Sequence, residues 1–249
     1  MSLLELDRTT VRYGGVTAAD SVSFTVEPGS LVGLIGPNGA GKTTMIDAIT
    51  GMARCSGDIR LDGQSIVSWP AHRRSRAGIV RTFQSLELFM DLTVRENLQT
   101  YARSRAGGAS TDPVEYALEQ MDVGWAADSY PAELSAGSAR LVSVARALAA
   151  SPRLLLLDEP AAGLDAGESQ QFGAKLRRLV DEGVATVLLV DHDVDLIMNI
   201  CDDVQVLDFG RRIASGPPEV VREDPEVARA YLGTGSDTES AESSVGGTS

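Results

Sequence analysis

Short runs uninterrupted by any charged side chain alternate with longer stretches of helical spacing along most of the chain. The uninterrupted runs are residues 31–35, 154–157 and 184–190, in which all residues except Gly33 and Thr186 are aliphatic. Runs of this kind are typical of parallel strands that are buried on both faces. Between and after them, apolar side chains recur every three or four residues, as in 141–148 and 172–180. The pattern predicts an α/β fold with a mixed, mainly parallel sheet and helices on both sides.

Two regions depart from this alternation. Short β-rich runs at 3–6, 9–13 and 21–26 predict an antiparallel β-rich N-terminal part. From about residue 90 to 150 only helical spacing is found. This second region predicts a small α-helical subdomain that is inserted into the α/β core.

The predicted domain spans residues 1–232, and the rest of the chain differs from it in composition. Residues 233–249 contain no aromatic and almost no aliphatic side chain. Such a segment cannot bury enough apolar surface to offset the entropy that is lost on ordering. We therefore expect a disordered tail that is acidic and rich in Gly and Ser.

The chain is acidic, with a formal net charge of −13. The segment after Gly233 contributes Asp237, Glu239 and Glu242 and no basic residue, so the rest of the chain keeps a net charge of −10. An acidic surface is a poor match for a phosphate backbone. We therefore expect no nucleic-acid partner.

The sequence also favours a cytoplasmic location. No apolar run approaches the roughly 18 residues of a membrane-spanning helix. Residues 1–15 lack the basic and apolar stretches of a secretory signal. Cys55 and Cys201 have no metal-ligand spacing, so we expect buried thiols in a reducing compartment.

The strand predicted at 31–35 leads into a glycine-rich turn and then a helix, in the sequence SLVGLIGPNGAGKTT at 30–44. This is the GxxxxGK[ST] pattern of a phosphate-binding loop in its strand–loop–helix setting. Glycines let successive N–H groups point toward a phosphate chain, and the helix start adds its positive dipole end. Glycine turns after strands are common, but the Lys-Thr pair makes a nucleotide site the better interpretation.

We expect Lys42 to reach the β- and γ-phosphates and the Thr43 hydroxyl to bind Mg²⁺. The nucleotide-binding residues predicted in this loop are Gly36, Pro37, Asn38, Gly39, Ala40, Gly41, Lys42, Thr43 and Thr44.

Further motifs make most of the chain, to about residue 232, resemble the ATP-binding cassette family of transport ATPases. GPNGAGKT at 36–43 resembles the Walker A loop, and LLLLDE at 154–159 resembles Walker B. LSAGS at 134–138 resembles the family signature, and AGLD at 162–165 resembles the D-loop. The signature immediately upstream of Walker B singles out this family. The resemblance implies a P-loop NTPase core, with ATP and Mg²⁺ as cofactors.

Asp158 and Glu159 end a predicted strand, where ligands bind in parallel sheets. Asp158 would bind Mg²⁺ through water, because it would face the metal that Thr43 holds. Glu159 is the candidate general base for the attacking water, a role worth about a hundredfold or more. Such a pair can also cap a helix or form a solvated turn, but Pro160 and the phosphate loop argue for a site.

Three single residues stand where the family has functional side chains. Gln84 occupies the Q-loop position and would contact Mg²⁺ or the attacking water while its loop contacts a partner. His192 would hydrogen-bond the γ-phosphate and hold Glu159 and the water in place. Tyr13 would stack on adenine. Without the family, a lone His is more often structural, and Tyr13 is a half-buried strand aromatic.

The LSAGS turn has no obvious partner in its own subunit. The Ser135 hydroxyl and the Gly137 N–H lie at a predicted helix start, which favours an anion. The resemblance implies that this turn closes on ATP bound to a second, identical or paralogous cassette subunit, and that Asp165 couples the two sites. Ala136 and Ser138 replace the usual glycine and glutamine. These departures bear on the tightness of dimer closure rather than on ATP binding.

A finer resemblance points to the ATPase subunits of branched-chain amino acid importers and of related urea or amide importers. The segments that carry it are RTFQ at 81–84, LTVREN at 92–97, DEPAAGLD at 158–165 and ARAYLG at 228–233. It implies an ATP-hydrolysing subunit at the cytoplasmic face of the membrane. This subunit would bind integral-membrane permease subunits and, through them, a periplasmic or extracellular solute-binding protein. The solute would contact those proteins, so this sequence does not specify it.

Two other functions fit parts of the sequence. A cassette ATPase without a permease, acting on protein or nucleic-acid assemblies, is disfavoured by the acidic body and the single cassette. A weakly hydrolysing regulatory half-partner is compatible with Ser138 but is disfavoured by Glu159 and His192.

Two stretches have unusual surface chemistry for their predicted setting. Residues 70–77 carry one His and three Arg, which predicts a solvated helix face, with lipid headgroups or an acidic partner as the alternative. Residues 86–92 are apolar for a loop. Any part of them that stays exposed would mark a docking surface.

Overall fold

The computed structural model describes residues 1–102 and 112–232. The tail predicted at 233–249 lies outside the described residues. The strands are β1 Leu4–Tyr13, β2 Val16–Val26, β3 Leu31–Ile35, β4 Cys55–Leu61, β5 Gln64–Ser65, β6 Ile79–Arg81, β7 Leu154–Asp158, β8 Thr186–Val190, β9 Asp203–Asp208 and β10 Arg211–Gly216. The α-helices are α1 Lys42–Thr50, α2 Ala71–Arg76, α3 Val94–Gln99, α4 Pro113–Gln120, α5 Ala136–Ala149, α6 Ala166–Asp181, α7 Val194–Ile200, α8 Pro218–Arg222 and α9 Pro225–Leu232.

The central sheet has six strands in the order β10-β9-β3-β8-β7-β6. Neighbouring strands from β9 to β6 run parallel, and β10 is antiparallel to β9. Every residue of β3, β7 and β8 is buried, which is why these strands appear as uninterrupted apolar runs. The predicted α/β fold with a mixed, mainly parallel sheet is confirmed.

The N-terminal sheet is antiparallel, in the order β2-β1-β4-β5. Strand β1 is continuous where the sequence predicts two separate runs. Its register shifts between Leu6 and Thr9, and Arg8 there has a φ of +45°. A bulge of this kind interrupts the alternation of buried and exposed side chains without ending the strand. The prediction of two separate strands at 3–6 and 9–13 was therefore wrong, because the bulge breaks the alternation within a single strand.

Apolar layers cover both faces of the central sheet. Leu154 and Leu156 of β7 belong to the layer that contains α1 and the N-terminal sheet. Leu155 and Leu157 belong to the layer that contains α5, α6 and α7. This division follows from the two-residue period of a strand, which sends successive side chains to opposite faces.

The chain between β6 and β7 is helical in its described part, with α3, α4, α5 and two short 3₁₀ turns. Thr93 and Glu96 form a capping box at the start of α3, and Asp112 caps α4. Within the described ranges no helix is both long and apolar enough to cross a bilayer. The assignment of this region to an inserted subdomain stays a prediction.

Helix α2 corrects the prediction of a solvated basic face. Arg74 is buried and donates hydrogen bonds to the carbonyl oxygens of Ala48 and Ile49, at 2.6 and 2.9 Å. These carbonyls belong to the last turn of α1, where few backbone donors remain; the Ala48 carbonyl also accepts the Gly51 N–H, at 3.3 Å. Arg73 and Arg76 are exposed. One arginine of the cluster thus has a structural function that its spacing does not reveal.

Candidate nucleotide-binding site

The loop between β3 and α1 approaches other backbone segments closely. Gly41 has a φ of +98°, and a Cβ atom there would lie 2.5 Å from the Ala18 carbonyl oxygen. Gly36 has a φ of +151°, and a side chain there would collide with the Leu207 carbonyl. Both positions therefore require glycine. The spacing of glycines in the motif follows from this backbone geometry.

An open cleft of about 200 Å³ lies over this loop. Its lining consists of Ala18, Asn38, Gly39, Ala40, Gly41, Lys42, Thr43, Thr44 and Glu159. The two other predicted loop residues, Gly36 and Pro37, lie beside Lys42, and their carbonyl oxygens accept hydrogen bonds from its Nζ at 2.7 and 3.0 Å. The structure thus brings Glu159 to the phosphate loop, although 115 or more residues separate them in sequence.

Lys42 is buried near three carboxylates. Burial lowers the pKa of its ammonium group, while the negative charges of Glu159, Asp158 and Asp191 act in the opposite direction. Its present acceptors are neutral carbonyl oxygens, which are weaker partners for an ammonium than phosphate oxygens. The arrangement therefore provides a positive charge at the point where the motif predicts phosphate.

Asp191 is a site residue that the sequence analysis did not include. It is buried at the end of β8, where its carboxylate accepts hydrogen bonds from the backbone N–H groups of Ala161 and Asp193, at 3.1 and 3.0 Å. These bonds connect the segment after β7 to the segment after β8. The sequence did contain a signal for Asp191, because it is a carboxylate that precedes His192 at the end of a predicted strand.

Glu159 has a left-handed backbone conformation, with a φ of +48°. Its N–H donates to the Val190 carbonyl at 2.7 Å, and its Oε2 accepts a hydrogen bond from Gln84 Nε2 at 2.7 Å. The Nδ1 atom of His192 lies 3.9 Å from the same Oε2. Three residues that were predicted from three separate segments therefore meet around one carboxylate.

Asp158 ends β7 and is buried. Its Oδ2 accepts a hydrogen bond from Arg81 Nη2 at 2.7 Å. Arg81 was not predicted as a site residue, because in the sequence it is only one letter of the RTFQ segment. The acidic pair is therefore divided, with Asp158 bound to Arg81 and Glu159 bound to Gln84.

The signature residues lie in a different cleft, of about 170 Å³. It is lined by Ser135, Gly137, Ser138, Leu141, Leu164, Glu168, Gln171, Phe172 and Lys175. Ser135 caps α5, since its Oγ accepts a hydrogen bond from the Ser138 N–H at 3.2 Å. Asp165 caps α6 in a reciprocal pair with Glu168. Within one chain, these predicted contact residues cap helices.

Tyr13 is the last residue of β1 and is about half exposed. It is not among the residues that line the cleft over the phosphate loop. Its position at a strand end, rather than in a loop, leaves the predicted stacking on adenine a prediction.

The oxygen and N–H groups in and beside the cleft over the phosphate loop fit Mg²⁺ and a triphosphate. The Thr43 hydroxyl, the Asp158 carboxylate and the Gln84 side-chain carbonyl supply oxygen atoms, which are the ligands that Mg²⁺ prefers. The glycine loop supplies backbone N–H groups at the start of α1. These features support nucleotide binding on structural grounds.

The comparisons with known proteins agree with this geometry. A family model described as "ABC transporter" matches residues 19–162. The chain belongs to the ABC transporter family. A second model, described as "Branched-chain amino acid ATP-binding cassette transporter", matches residues 211–237.

Several ABC proteins match along almost their whole length. The chain is 38% identical to the high-affinity branched-chain amino acid transport ATP-binding protein BraF of Pseudomonas aeruginosa, over 93% of this chain and 98% of that protein. It is 35% identical to LivG of Escherichia coli K12, the ATP-binding protein of the same kind of system, with the same coverage. It is 36% identical to the lipopolysaccharide export system ATP-binding protein LptB of Haemophilus influenzae, over 94% and 98%.

Solved ABC cassettes share the fold. A nucleotide-free ATP-binding cassette of an ABC transporter superposes with a TM-score of 0.83 at 28% identity, over 93% of this chain and 99% of that chain. The ADP conformation of such a cassette gives a TM-score of 0.84 at 29% identity, over 94% and 99%. The protein is therefore an ATP-binding ATPase of the ABC class.

The C-terminal part of this ABC ATPase also contacts the phosphate loop. The backbone of Gly36 is near enough to Tyr231 on α9 to lower the pKa of its phenol, and the N–H of Gly210 donates to the Ala40 carbonyl at 3.1 Å. Burial acts more strongly in the opposite direction and raises the pKa of Tyr231 to about 12. In the sequence, ARAYLG carried only a family resemblance and gave no sign of this proximity.

Proposed function

We propose that this ABC ATPase is the energy-supplying subunit of an importer for branched-chain amino acids or a related amide or urea. The observation that carries its catalytic part is the meeting of Glu159, Gln84 and His192 beside the phosphate loop. The family model at residues 211–237 and the 38% identity to BraF support the solute class.

The residues of the cleft would divide the work of hydrolysis. Lys42 would exchange its bonds to two carbonyl oxygens for bonds to the β- and γ-phosphates. Thr43 and Asp158 would hold Mg²⁺, Asp158 through water, and the bound ion would offset the phosphate charge. Glu159 would accept the proton of the attacking water, while Gln84 and His192 keep its carboxylate and that water in place.

Two surfaces of the single chain suggest the proposed partners, namely the signature residues and the exposed apolar residues on the loop that carries Gln84. Ser135, Gly137 and Asp165 would face ATP bound to a second ABC ATPase subunit. On the loop that carries Gln84, Phe89 and Met90 are more than half exposed. This apolar surface would dock on integral-membrane permease subunits at the cytoplasmic face of the membrane, and those subunits would contact the solute-binding protein.

A second candidate function is that of an export ATPase. The identity to LptB is 36%, within two percentage points of the identity to BraF, so overall identity does not separate them. The C-terminal model favours the importer. Co-purification with the membrane proteins encoded beside the gene distinguishes the two, because an importer would bring down a permease pair and its solute-binding protein.

The variant Glu159→Gln tests the catalytic part. We expect its ATP turnover to fall about a hundredfold or more, since an amide cannot accept the proton of the water. Binding of a fluorescent ATP analogue should be retained, because the phosphate loop is unchanged. Steady-state phosphate release measures turnover, and the exposed Glu182→Gln serves as the matched control. Equal rates for the wild type and Glu159→Gln would remove Glu159 as the base.

The same variant tests the proposed dimer. With ATP and Mg²⁺, Glu159→Gln should accumulate as a closed dimer, which light scattering detects as a doubled mass. Adding Ser135→Arg should keep it monomeric while ATP binding persists, because the bulky side chain would obstruct the signature cleft. A monomer at saturating ATP would contradict the proposed dimer interface.

A further inference from the structure

Arg81, the last residue of β6, binds two carboxylates from different elements. Its Nη2 donates to Asp158 Oδ2 at 2.7 Å, and its Nη1 pairs with Asp47 Oδ1. Asp47 lies on α1, the helix that follows the phosphate loop, and Asp158 ends β7. One guanidinium group therefore joins the phosphate-loop helix to the strand that carries the proposed metal ligand.

The sheet register explains how Arg81 reaches both partners. Arg81 pairs with Leu156 on the neighbouring parallel strand. Residues two apart on a strand share a face, so Leu156 and Asp158 point to the same side of the sheet. Leu156 belongs to the apolar layer that contains α1. From the face of the sheet that α1 covers, the long side chain of Arg81 can therefore contact Asp158, the next residue of β7 on that face, and Asp47 on α1.

The three charges are largely removed from solvent. The side chains of Arg81 and Asp158 are 7% and 4% exposed, and that of Asp47 is 27% exposed. The Arg81 Nε–H is buried and finds no acceptor among the described residues, which is unfavourable for a buried donor. The guanidinium is thus held by its two carboxylates and by the Phe83 ring, whose centroid lies 4.8 Å away.

The contact occupies only one oxygen of Asp158. In residues 1–102 and 112–232, the side-chain donor to this carboxylate is Arg81, and it binds Oδ2. Such a bond fixes the carboxylate through Oδ2, and no described residue donates a hydrogen bond to Oδ1. The cluster carries one positive and two negative charges, so Arg81 compensates much of the charge that a divalent cation would otherwise balance.

We infer that Arg81 is the counter-ion that occupies the place of the cation at the carboxylate proposed to bind Mg²⁺. It holds Asp158 through Oδ2 and balances its charge when no metal is bound. This inference rests on the proposed function, in which Asp158 binds Mg²⁺. Since Arg81 lies three residues before Gln84, the same guanidinium also connects the start of the Q-loop to the phosphate-loop helix.

The variant Arg81→Met removes the charge and keeps a long apolar side chain at a buried position. Its melting temperature is measured with a chelator and with Mg²⁺, in both cases without nucleotide. With the chelator we expect a fall of roughly 6–20 °C from the wild type, because two carboxylates lose a buried partner. Mg²⁺ should restore about half of this loss, since the cation then binds the folded state at Asp158. The melting temperature of the wild type should differ little between the chelator and Mg²⁺.

Matched variants separate this effect from a general loss of stability. Arg153→Met removes the same charge from an exposed ion pair with Asp62, whose two side chains are 52% and 50% exposed. Its response to Mg²⁺ should equal that of the wild type. In the double variant Arg81→Met with Asp158→Asn, the restoration by Mg²⁺ should disappear.

The variant Arg81→Lys keeps the charge but cannot bind both carboxylates at once in the same way. It replaces Arg81→Met in the test if that variant does not fold. The rise in its melting temperature on addition of Mg²⁺ should exceed the rise in the wild type. An equal response to Mg²⁺ in the wild type and both Arg81 variants would overturn the inference, as would a restoration that persists in the double variant. Failure of the wild type to hydrolyse ATP would refute the proposed function alone, because this measurement contains no nucleotide.

Discussion

Glu159 combines the proposed catalytic function with an unfavourable backbone conformation. A φ of +48° places its backbone in the left-handed region, which costs of order 1–3 kcal/mol for a residue other than glycine. The hydrogen bond from its N–H to Val190 holds this conformation, and the bond from Gln84 holds its carboxylate. The structure thus fixes both ends of the residue before any water is bound.

The buried guanidinium of Arg74 stabilises the end of α1. Replacing it with Met should lower the free energy of unfolding by about 2–5 kcal/mol, because the carbonyl oxygens of Ala48 and Ile49 would lose a buried donor. Chemical denaturation measures the change. Arg76→Met, at an exposed position of the same helix, is the control and should stay within about 0.5 kcal/mol of the wild type. Equal losses in the two variants would contradict a specific contact of Arg74.

At the residue scale, the sequence predicted the side chains whose chemistry is tied to a motif. Lys42, Thr43 and Glu159 line one cleft, as expected for the phosphate loop and the acidic pair. Arg74 and Arg81 were not predicted, because their partners are backbone carbonyls or carboxylates far away in sequence. A long arginine side chain reveals its partner only when the elements are packed.

The signature helix α5 and the Q-loop are joined by arginine side chains. Arg140 donates to the carbonyl oxygens of Gln84 and Ala162, both at 2.9 Å. Arg146 donates to the Leu86 carbonyl at 3.1 Å. Because these bonds reach the backbone, displacement of α5 would displace the Q-loop as well. The signature, the Q-loop and the segment after Glu159 are therefore mechanically connected within one chain.

Arg140→Met should loosen this connection. Hydrogen exchange measured by mass spectrometry should become faster in peptides that cover residues 82–88 and 160–165, because two backbone carbonyls lose their donor. The exchange of β3 and β8 should remain unchanged. Arg229→Met, at an exposed ion pair on α9, should alter neither loop. Unchanged exchange in the first variant would contradict the proposed connection.

At the element scale, the uninterrupted apolar runs predicted β3, β7 and β8 because these strands are buried on both faces. Strand β1 was divided wrongly, because a bulge near Arg8 breaks its alternation. The boundaries of β8 were also too wide, since Val184 and Ala185 are apolar but precede the ladder. Apolarity marks burial, whereas hydrogen-bond register sets the ends of a strand.

At the scale of the whole molecule, the residues predicted to bind phosphate lie in two clefts that share no lining residue. One cleft contains the phosphate loop and Glu159, and the other contains Ser135 and Gly137. In the proposed function, one chain would hold a nucleotide with the first cleft alone. This separation is the structural reason to expect a second subunit, and the composition of the sequence alone could not provide it.

The burial of Tyr231 on α9 predicts a pH dependence of stability. Burial raises the pKa of Tyr231 to about 12, above its ordinary value near 10. Between these values the unfolded chain would bind fewer protons than the folded one, so this contribution is present below pH 10 and is lost as pH rises toward 12. The melting temperature of Tyr231→Phe should therefore fall less steeply across that interval than that of the wild type.

Tyr130→Phe is the matched control, since Tyr130 is substantially exposed. Its melting temperature should follow the wild-type curve between pH 10 and 12. Parallel curves for the wild type and Tyr231→Phe would contradict a shifted pKa at this residue.

The strand that leads into the phosphate loop lies between β8 and β9, which come about 150 residues later in the chain. At roughly 5–20 residues per second, a ribosome needs about 8–30 s to make the intervening segment. Throughout that interval the newly made apolar strand has neither of its neighbours. Both edges of this strand stay unpaired until the last strands emerge, and unpaired apolar strands are the surfaces through which nascent chains aggregate.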